Sequence, residues 1–235
     1  MRTKIVADVA AALDGIPDGA TVLVGGFGLA GQPIALIDGL LETGTTDLTI
    51  VSNNAGNGDT GLAALLAARR VRKVICSFPR QADSWVFDGL YRAGDIDLEV
   101  VPQGNLAERI RAGGAGIGGF FTPTGVGTLL AEGKETRVID GREYVLESPI
   151  RGDVALVGAY RGDRLGNLVF RKTSRNFNPV MATAATLTVA QVDRVVEVGD
   201  LDPEAIVTPG LFVDRVVEVG DREWLAAAPS AGGAA

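Results

Sequence analysis

The sequence predicts a three-layer α/β/α fold, with a largely parallel sheet in the N-terminal half and antiparallel hairpins added in the C-terminal half. Three observations predict it. Short apolar runs alternate with helix-spaced segments up to about residue 120. Beyond that point β signals crowd together, including an Asp-Gly pair between two strand-like runs. No obvious linker divides the chain, so residues 1–222 are expected to form one domain, with residues 223–235 a disordered tail that is small and low in complexity from Ala226 on.

The elements follow in order. Thr21-Val22-Leu23-Val24 reads as a buried strand, and Ile34, Ile37, Leu40 and Leu41 recur at helical spacing after Pro33. Leu48 to Val51 is a second strand, Leu62 to Ala68 a helix and Lys73 to Ser77 a third strand. Ser84 to Tyr91 reads as a helix, Leu98 to Val101 as a strand and Asn105 to Arg111 as a helix. Such alternation implies βαβ units, with a parallel sheet covered on both faces. In the second half, Asp140-Gly141 lies between Val138-Ile139 and Arg142 to Val145, a hairpin signal. Val154 to Tyr160 and Leu168 to Arg171 flank a Gly/Asp-rich turn and predict another hairpin. Asp193 to Asp200 recurs residue for residue as Asp214 to Asp221, read as two similar strands of one sheet. Gly113 to Gly119 is the most flexible stretch, either a hinge or a loop passing close to a ligand.

Composition removes whole classes of function. The chain has 235 residues, 46% of them hydrophobic, enough for a substantial core. Its net charge of −7 repels phosphate backbones, so nucleic acid is not an expected partner. It has no histidine, which excludes an internal Ser-His-Asp triad, a histidine base and histidine-ligated metal, and no metal site is expected. The one cysteine, Cys76, lies in an apolar run and reads as a buried, inert thiol. No apolar run approaches the ~18 residues of a membrane span, and Met1 to Lys4 do not lead into a secretory h-region. Membrane association is not expected, and the cytoplasm is the expected location.

The stretch Gly25-Gly26-Phe27-Gly28-Leu29-Ala30-Gly31-Gln32-Pro33 follows a predicted strand and opens a predicted helix. Such a turn aims backbone N–H groups and the positive helix end at an anion or a developing oxyanion. Pro33 suits the first helical turn, and Gly28 and Gly31 remove side chains that would block a ligand. The spelling G-x-G-x-x-G occurs, but no acidic residue ends the second strand where a dinucleotide site requires one. A turn that binds nothing is the alternative.

Asp18 to Phe27, continuing to Gly31-Gln32-Pro33, resembles the first signature of family I CoA-transferases. The resemblance continues through Ser52-Asn53-Asn54-Ala55-Gly56, Pro102 to Gly116, Phe121-Thr122-Pro123-Thr124-Gly125 and Phe170 to Asn178. It spans roughly residues 1 to 220, in order, and is closest to the A half of these enzymes. It implies transfer of CoA from succinyl-CoA to a 3-oxo acid through a covalent glutamyl-CoA intermediate. The coenzyme A thioester is then a substrate, and no cofactor is implied. The glutamate of such enzymes sits in a Ser-Glu-Asn-Gly-type motif of the B half. This chain lacks that motif, so the resemblance implies a partner, the separate B subunit. Glu108 is the nearest acidic candidate here, but its Leu-Ala-Glu-Arg-Ile context reads as a helical ion pair.

The resemblance also implies roles. Gly25, Gly26, Phe27, Gly28, Leu29, Ala30 and Gly31 correspond to a CoA-binding segment. Gln103 corresponds to an active-site amide suited to an oxyanion or the substrate, against the alternative of a helix-entry residue. Asn53 and Asn54 end a strand, where open α/β sheets bind ligands; they hold substrate or only make a turn. Lys172 and Arg175 are either anion contacts or solvated cations. Trp85 and Phe87 read as core, against the alternative of stacking on a cofactor. Phe78 to Ser84 looks like the branch acting on 3-oxoadipate, and Arg80 is the cation expected to meet that dicarboxylate. Acetoacetate or another short 3-oxo acid is the alternative acceptor, and a non-catalytic CoA- or small-molecule-binding module is the alternative of another class.

Overall fold

Strands that run parallel need crossovers, and the crossovers sort the helices onto two faces. The computed structural model describes residues 3–220, so the tail expected at 223–235 lies outside it. β1 (Thr21–Val24), β2 (Leu48–Asn54), β3 (Val71–Phe78) and β4 (Asp97–Val100) pair in parallel, in that order across the sheet. Between them run α2 (Ile34–Glu42), α3 (Leu62–Ala67) and α4 (Trp85–Ala93), after a short α1 (Val9–Leu13). α5 (Gln103–Gly114) follows β4. A small antiparallel sheet comes next, from β5 (Phe120–Thr122), β6 (Thr136–Ile139) and β7 (Arg142–Glu147). β8 (Gly152–Asp163) returns to the main sheet on the other side of β1, and β9 (Leu168–Val169) folds back on it antiparallel. α6 (Asn178–Ala182), β10 (Ala185–Val196) and β11 (Arg215–Glu218) complete the order β11-β10-β8-β1-β2-β3-β4.

The alternation of strand side chains builds two cores. Val22, Val24, Ile50, Val74, Leu156 and Val189 face one way and pack with Leu36, Ile37, Leu65 and Phe87 of α2 to α4. Leu23, Val51, Ile75, Ala155, Val157 and Ala190 face the other way, against Leu106 and Ile110 of α5 and Met181 of α6. The three expected layers are therefore α1–α4, sheet, and α5–α6.

Both expected hairpins form. Asp140 (φ 49°) and Gly141 (φ 77°) are both left-handed, as the tight β6–β7 turn requires. The second half also adds three parallel strands, β8, β10 and β11, because β8 and β10 pair over their full twelve-residue lengths. The repeats reach neighbouring strands only in part, through 193–196 of β10 and 215–218 of β11, and out of register, since Arg215 pairs with Val189 and Arg194 with Arg161.

The stretch from Gly113 begins as helix, and Gly113 to Gly116 also border a space of about 430 Å³ with Arg151 and Thr183. Gly113 and Gly114 close the last turn of α5, where a Cβ would stand 2.0 Å from the Ile150 carbonyl oxygen and 2.4 Å from Thr183 Oγ1. Their lack of side chains lets α5 press onto the segments leading into β8 and β10. The small sheet is fastened at the same helix by charge. Glu147, buried, accepts from Lys134 Nζ (2.8 Å) and Asn105 Nδ2 (3.2 Å), with Arg109 Nε at 3.8 Å. Arg109 donates to Glu99 (2.9 Å) and to the Ser148 carbonyl (2.7 Å). Burial alone would push the Glu99 carboxyl up; hydrogen bonds and attraction from Lys73 and Arg109 outweigh it and hold the group below its ordinary range.

Gly113→Ala tests the close approach. In an open helix the change would gain up to ~1 kcal/mol. Here it is expected to cost about 1–3 kcal/mol from overpacking. Gly118→Ala, with nothing within 4 Å of its added Cβ, is expected to stay within ~0.5 kcal/mol. Urea midpoints of the two variants decide it.

Candidate functional site

The order of the sheet locates the site. From β1 the chain winds outward to β4 on one side, then returns through β8 to β11 on the other, so β1 and β8 flank the point where the winding reverses. Open α/β sheets bind ligands in the crevice outside the carboxyl ends of the strands at that point. The loop after β1, Gly25 to Gly31, stands there.

The loop is held by protein on several sides. Gly25 N–H donates to the Leu156 carbonyl of β8 (3.0 Å), and Phe27 and Ala30 exchange two backbone bonds (2.9 and 3.1 Å) around a tight turn. Gly26, Gly28 and Gly31 all have positive φ. Asn178, fully buried at the start of α6, is the fastener. Its Oδ1 accepts the Gly158 N–H of β8 (2.9 Å), and its Nδ2 donates to the carbonyls of Gly31 (3.0 Å) and Ser174 (2.8 Å). A Cβ on Gly25 would lie 1.9 Å from Asn178 Oδ1, and one on Gly31 2.4 Å from the Ser174 carbonyl oxygen. Gly31 therefore makes room for protein and not for a ligand, which corrects the expectation; Gly28, with nothing within 4 Å, does face open space.

The helix end is also less available than its sequence suggested. Pro33 precedes α2 as its cap, and the Leu36 N–H is taken by the side chain of Gln191 (3.2 Å), 1% exposed on β10. The free donors are at the loop tip, where no acceptor among the described residues meets the N–H groups of Gly28 and Leu29.

Three spaces surround this loop. Phe27 lines a cavity of about 350 Å³ with Gln103, Ala107, Asn176, Phe177 and Val180. Gly28 and Leu29 border a narrow crevice with Asn54 and Asn57. Ala30 borders a third space of about 280 Å³ with Tyr160, Arg171 and Lys172. Segments 27–30 and 171–177 thus stand between these spaces.

Asn53 and Gln103 come together across fifty residues of sequence. Asn53, 3% exposed at the end of β2, donates to Gln103 Oε1 (3.3 Å) and Ser77 Oγ (3.2 Å). Gln103 is the first residue of α5, so it is a helix-entry residue and a cavity residue at once. With its oxygen engaged by Asn53, its Nε2 donors are left for the cavity. Asn54 is separated from the pair: its Oδ1 accepts the Gly56 N–H (2.8 Å), which is the turn-making arrangement.

Arg80 lies apart from all three spaces, 65% exposed and paired with Asp88 at 3.0 Å. Its segment nevertheless folds onto the turn after β2, through Ser84 Oγ to the Gly56 carbonyl (3.2 Å) and Gly58 N–H to the Asp83 carbonyl (2.8 Å). Trp85 is 61% exposed, against the expectation of a core residue, whereas Phe87 is buried and stacks on Tyr91. Glu108 is half exposed and paired with Arg111, whose hydrogen bond holds its carboxyl low. Cys76 is fully buried, and burial pushes its thiol up to about 12. Lys172 lines the third space in a left-handed conformation (φ 51°).

Sequence reasoning gave no role to Asn178, Asn176, Tyr160, Arg171 or Gln191. The run Asn176-Phe177-Asn178-Pro179 was the one local hint, a pair of amides at a helix start. The others depend on contacts between segments far apart in the chain.

The cavity beside Gln103 is mainly apolar, supplies neutral amide donors and has no acidic side chain in its lining. It can bind an acyl group and polarise a carbonyl, but it holds no nucleophile. Fold and site therefore define a doubly wound α/β chain with an apolar cavity, edged by amide donors, at the carboxyl end of its sheet. Residues 6–219 match the family described as Coenzyme A transferase, and the chain belongs to that family. It is 68% identical over 213 residues to the 3-oxoadipate CoA-transferase A subunit of Pseudomonas putida, covering 91% of this chain and 92% of that one. It is 50% identical over 210 residues to the succinyl-CoA:3-ketoacid coenzyme A transferase A subunit of Helicobacter pylori J99, covering 89% and 90%. A crystal structure of an acyl-CoA transferase from E. coli O157:H7, a thioester complex with CoA, superposes with a TM-score of 0.82 at 25% identity. That match covers 94% of this chain and 48% of the other, so this chain spans about half the length of that structure.

Two outcomes are expected. Asn178→Asp, which loses both donations and buries a charge, should cost on the order of 3 kcal/mol in thermal unfolding. Cys76 should resist disulfide-exchange reagents at pH 8 until the protein unfolds, giving labelling that tracks denaturation.

Proposed function

We propose that this chain is the A subunit of a 3-oxoacid CoA-transferase that moves CoA from succinyl-CoA to 3-oxoadipate, the nucleophilic glutamate being supplied by a separate B subunit. The observation that carries the reading is the Asn53–Gln103 amide pair at the carboxyl end of the sheet, opening on a cavity whose lining has no acid. The 68% identity to the corresponding chain of a 3-oxoadipate CoA-transferase supports the acceptor.

The chemistry explains why such a wall is useful. The partner's carboxylate attacks the thioester carbonyl, CoA thiolate leaves, and an acyl-enzyme anhydride remains. The thiolate then attacks the glutamyl carbonyl, releasing succinate and forming the glutamyl-CoA thioester. The acceptor carboxylate repeats the sequence in reverse and leaves as the new thioester. Each addition places negative charge on a carbonyl oxygen, and donors fixed beforehand stabilise that charge without reorganising. Gln103 Nε2 is the donor assigned to that oxygen, with Asn53 and Ser77 fixing its orientation. From the glycine loop, Phe27 and Ala30 border the two larger spaces, one on each side of segment 171–177, that a CoA thioester would occupy. No cofactor is required, because the CoA thioester is a substrate.

Transfer to a short 3-oxo acid such as acetoacetate is the second reading. Two observations favour it: the 50% identity to part of a succinyl-CoA:3-ketoacid transferase, and the distance of Arg80 from the cavity. Arg80 pairs with Asp88 on the surface, where such a pair is worth little and can be exchanged for a substrate carboxylate.

Co-expression with a B-type chain bearing Ser-Glu-Asn-Gly is expected to produce transfer from succinyl-CoA, and the purified chain alone is expected to be inactive. Turnover by the single chain would sink the division of labour. In the complex, Gln103→Ala should lower kcat about 10²-fold with KM little changed. Rates with 3-oxoadipate should exceed those with acetoacetate, and Arg80→Ala should raise KM for 3-oxoadipate alone. A preference for acetoacetate would select the second reading.

A further inference from the structure

The third space around the glycine loop differs from the other two in charge. It measures about 280 Å³ and is lined by Ala30, Tyr160, Arg171, Lys172, Thr173 and Ser174, with Asp193 as its one carboxylate. β8 and β10 form its wall, because they run on past the carboxyl end of β1: β1 pairs with β8 only at Val154 to Leu156, whereas β10 stays paired to Asp163. Tyr160 stands on this extension. Arg161 Cζ lies 4.9 Å and Arg171 Cζ 5.4 Å from the centre of its ring. One aromatic ring therefore gathers two guanidinium groups within roughly a Debye length of each other, where salt screens their repulsion incompletely. Lys172 adds a third cation, on a backbone of positive φ (51°). In a chain of net charge −7, this is a local reversal of sign.

The position is as informative as the charge. Segment 171–177 borders both spaces: Arg171 to Ser174 line the cationic one, and Asn176 and Phe177 line the apolar one beside Gln103. Ser174 and Asn176 are two residues apart, at most about 7 Å along the chain. Asn176 also ties the two walls, donating to the carbonyls of Ala30 (2.9 Å) and Thr173 (2.8 Å). A ligand that is polyanionic at one end and reactive at the other can lie across this divide.

We infer that Arg171 and Lys172, with Arg161 behind them, form the anion site that holds the phosphate groups of the CoA thioester while its acyl end lies beside Gln103. The inference rests on the CoA-transferase reading and adds to it the residues that bear the carrier's charge. Guanidinium and ammonium donors suit phosphate oxygens, and Thr173 and Ser174 hydroxyls line the same space. A dicarboxylate acyl group offers the same anionic chemistry, and the test separates the two.

The experiment uses the complete A–B enzyme with Arg171→Gln and Lys172→Gln combined. Both side chains are exposed, so the thermal midpoint is expected to stay unchanged. KM for succinyl-CoA should rise on the order of tenfold or more with kcat retained, as losing charge-assisted contacts predicts. Constants for succinyl-pantetheine, which lacks the phosphates, should not move. Titration with desulfo-CoA, which binds without turnover, should weaken by the same factor, and 3′,5′-ADP should lose its inhibition. An unchanged KM for succinyl-CoA, equal losses with both thioesters, or a rise confined to KM for 3-oxoadipate would each overturn the inference. A wild-type complex that bound desulfo-CoA through these cations yet transferred no CoA would instead fail the parent reading and leave the anion site standing.

Discussion

One buried carboxamide holds the site together. Asn178 accepts from β8 and donates to both the glycine loop and the turn before α6, so three separate stretches of backbone share one side chain. Each of those backbone groups would be costly to bury without a partner, and an amide is the smallest side chain that satisfies a donor and two acceptors at once. The geometry leaves no space for a Cβ at Gly25 or Gly31, so those glycines are consequences of the fastener. Without that contact the loop would keep its internal turn and the Gly25–Leu156 bond to β8, but its far end at Gly31 would lose its tie to β8 and to the turn before α6.

This constraint explains how the site divides its electrostatics. The cavity next to Gln103 is served by neutral amides, while charge is kept on the far side of segment 171–177. A neutral donor suits a centre where an acid must attack and an acid must leave. A fixed cation there would bind both carboxylate ground states and raise the barrier to their reaction, whereas an amide favours the oxyanion with less penalty. The ion network of Glu99, Arg109, Glu147 and Lys134 meets the same helix as Gln103 further along its length, outside the cavity lining, where it anchors the small sheet.

Much of the fold was legible because its signals are local. Apolar runs separated by helix-spaced residues identified β1 to β4 and their helices, and Asp140-Gly141 identified its hairpin, since each depends on a few neighbouring residues. The resemblance brought Gly25 to Gly31, Asn53 and Gln103 forward, and the structure joins Phe27, Asn53 and Gln103 around one cavity edge. What failed was the interpretation of small and amphipathic residues, whose meaning is set by distant contacts. Gly113 looked flexible but packs against Ile150; Gly31 looked open but packs against Ser174. Trp85 read as core, yet it falls on the exposed face of its helix while Phe87, two residues on, takes the buried one. Asn53 and Asn54 are adjacent and chemically identical, and only the pleat separates them, sending one toward Gln103 and the other into a turn.

The tip of the glycine loop is exposed beside the cavity. Phe27 and Leu29 stand at the loop tip 46% and 49% exposed, although buried neighbours hold the backbone beneath them rigidly. A monomer gains nothing by ordering a loop so that apolar side chains face water; the ordering is useful where a second surface covers them. On the proposed division of labour, that surface brings the glutamate and excludes water from the carbonyl in one step, so the anhydride is protected from hydrolysis as it forms. The rigid half then contributes preorganised donors and a carrier site, and the reactive acid meets them only in the assembled enzyme. On that division neither chain would consume thioester alone.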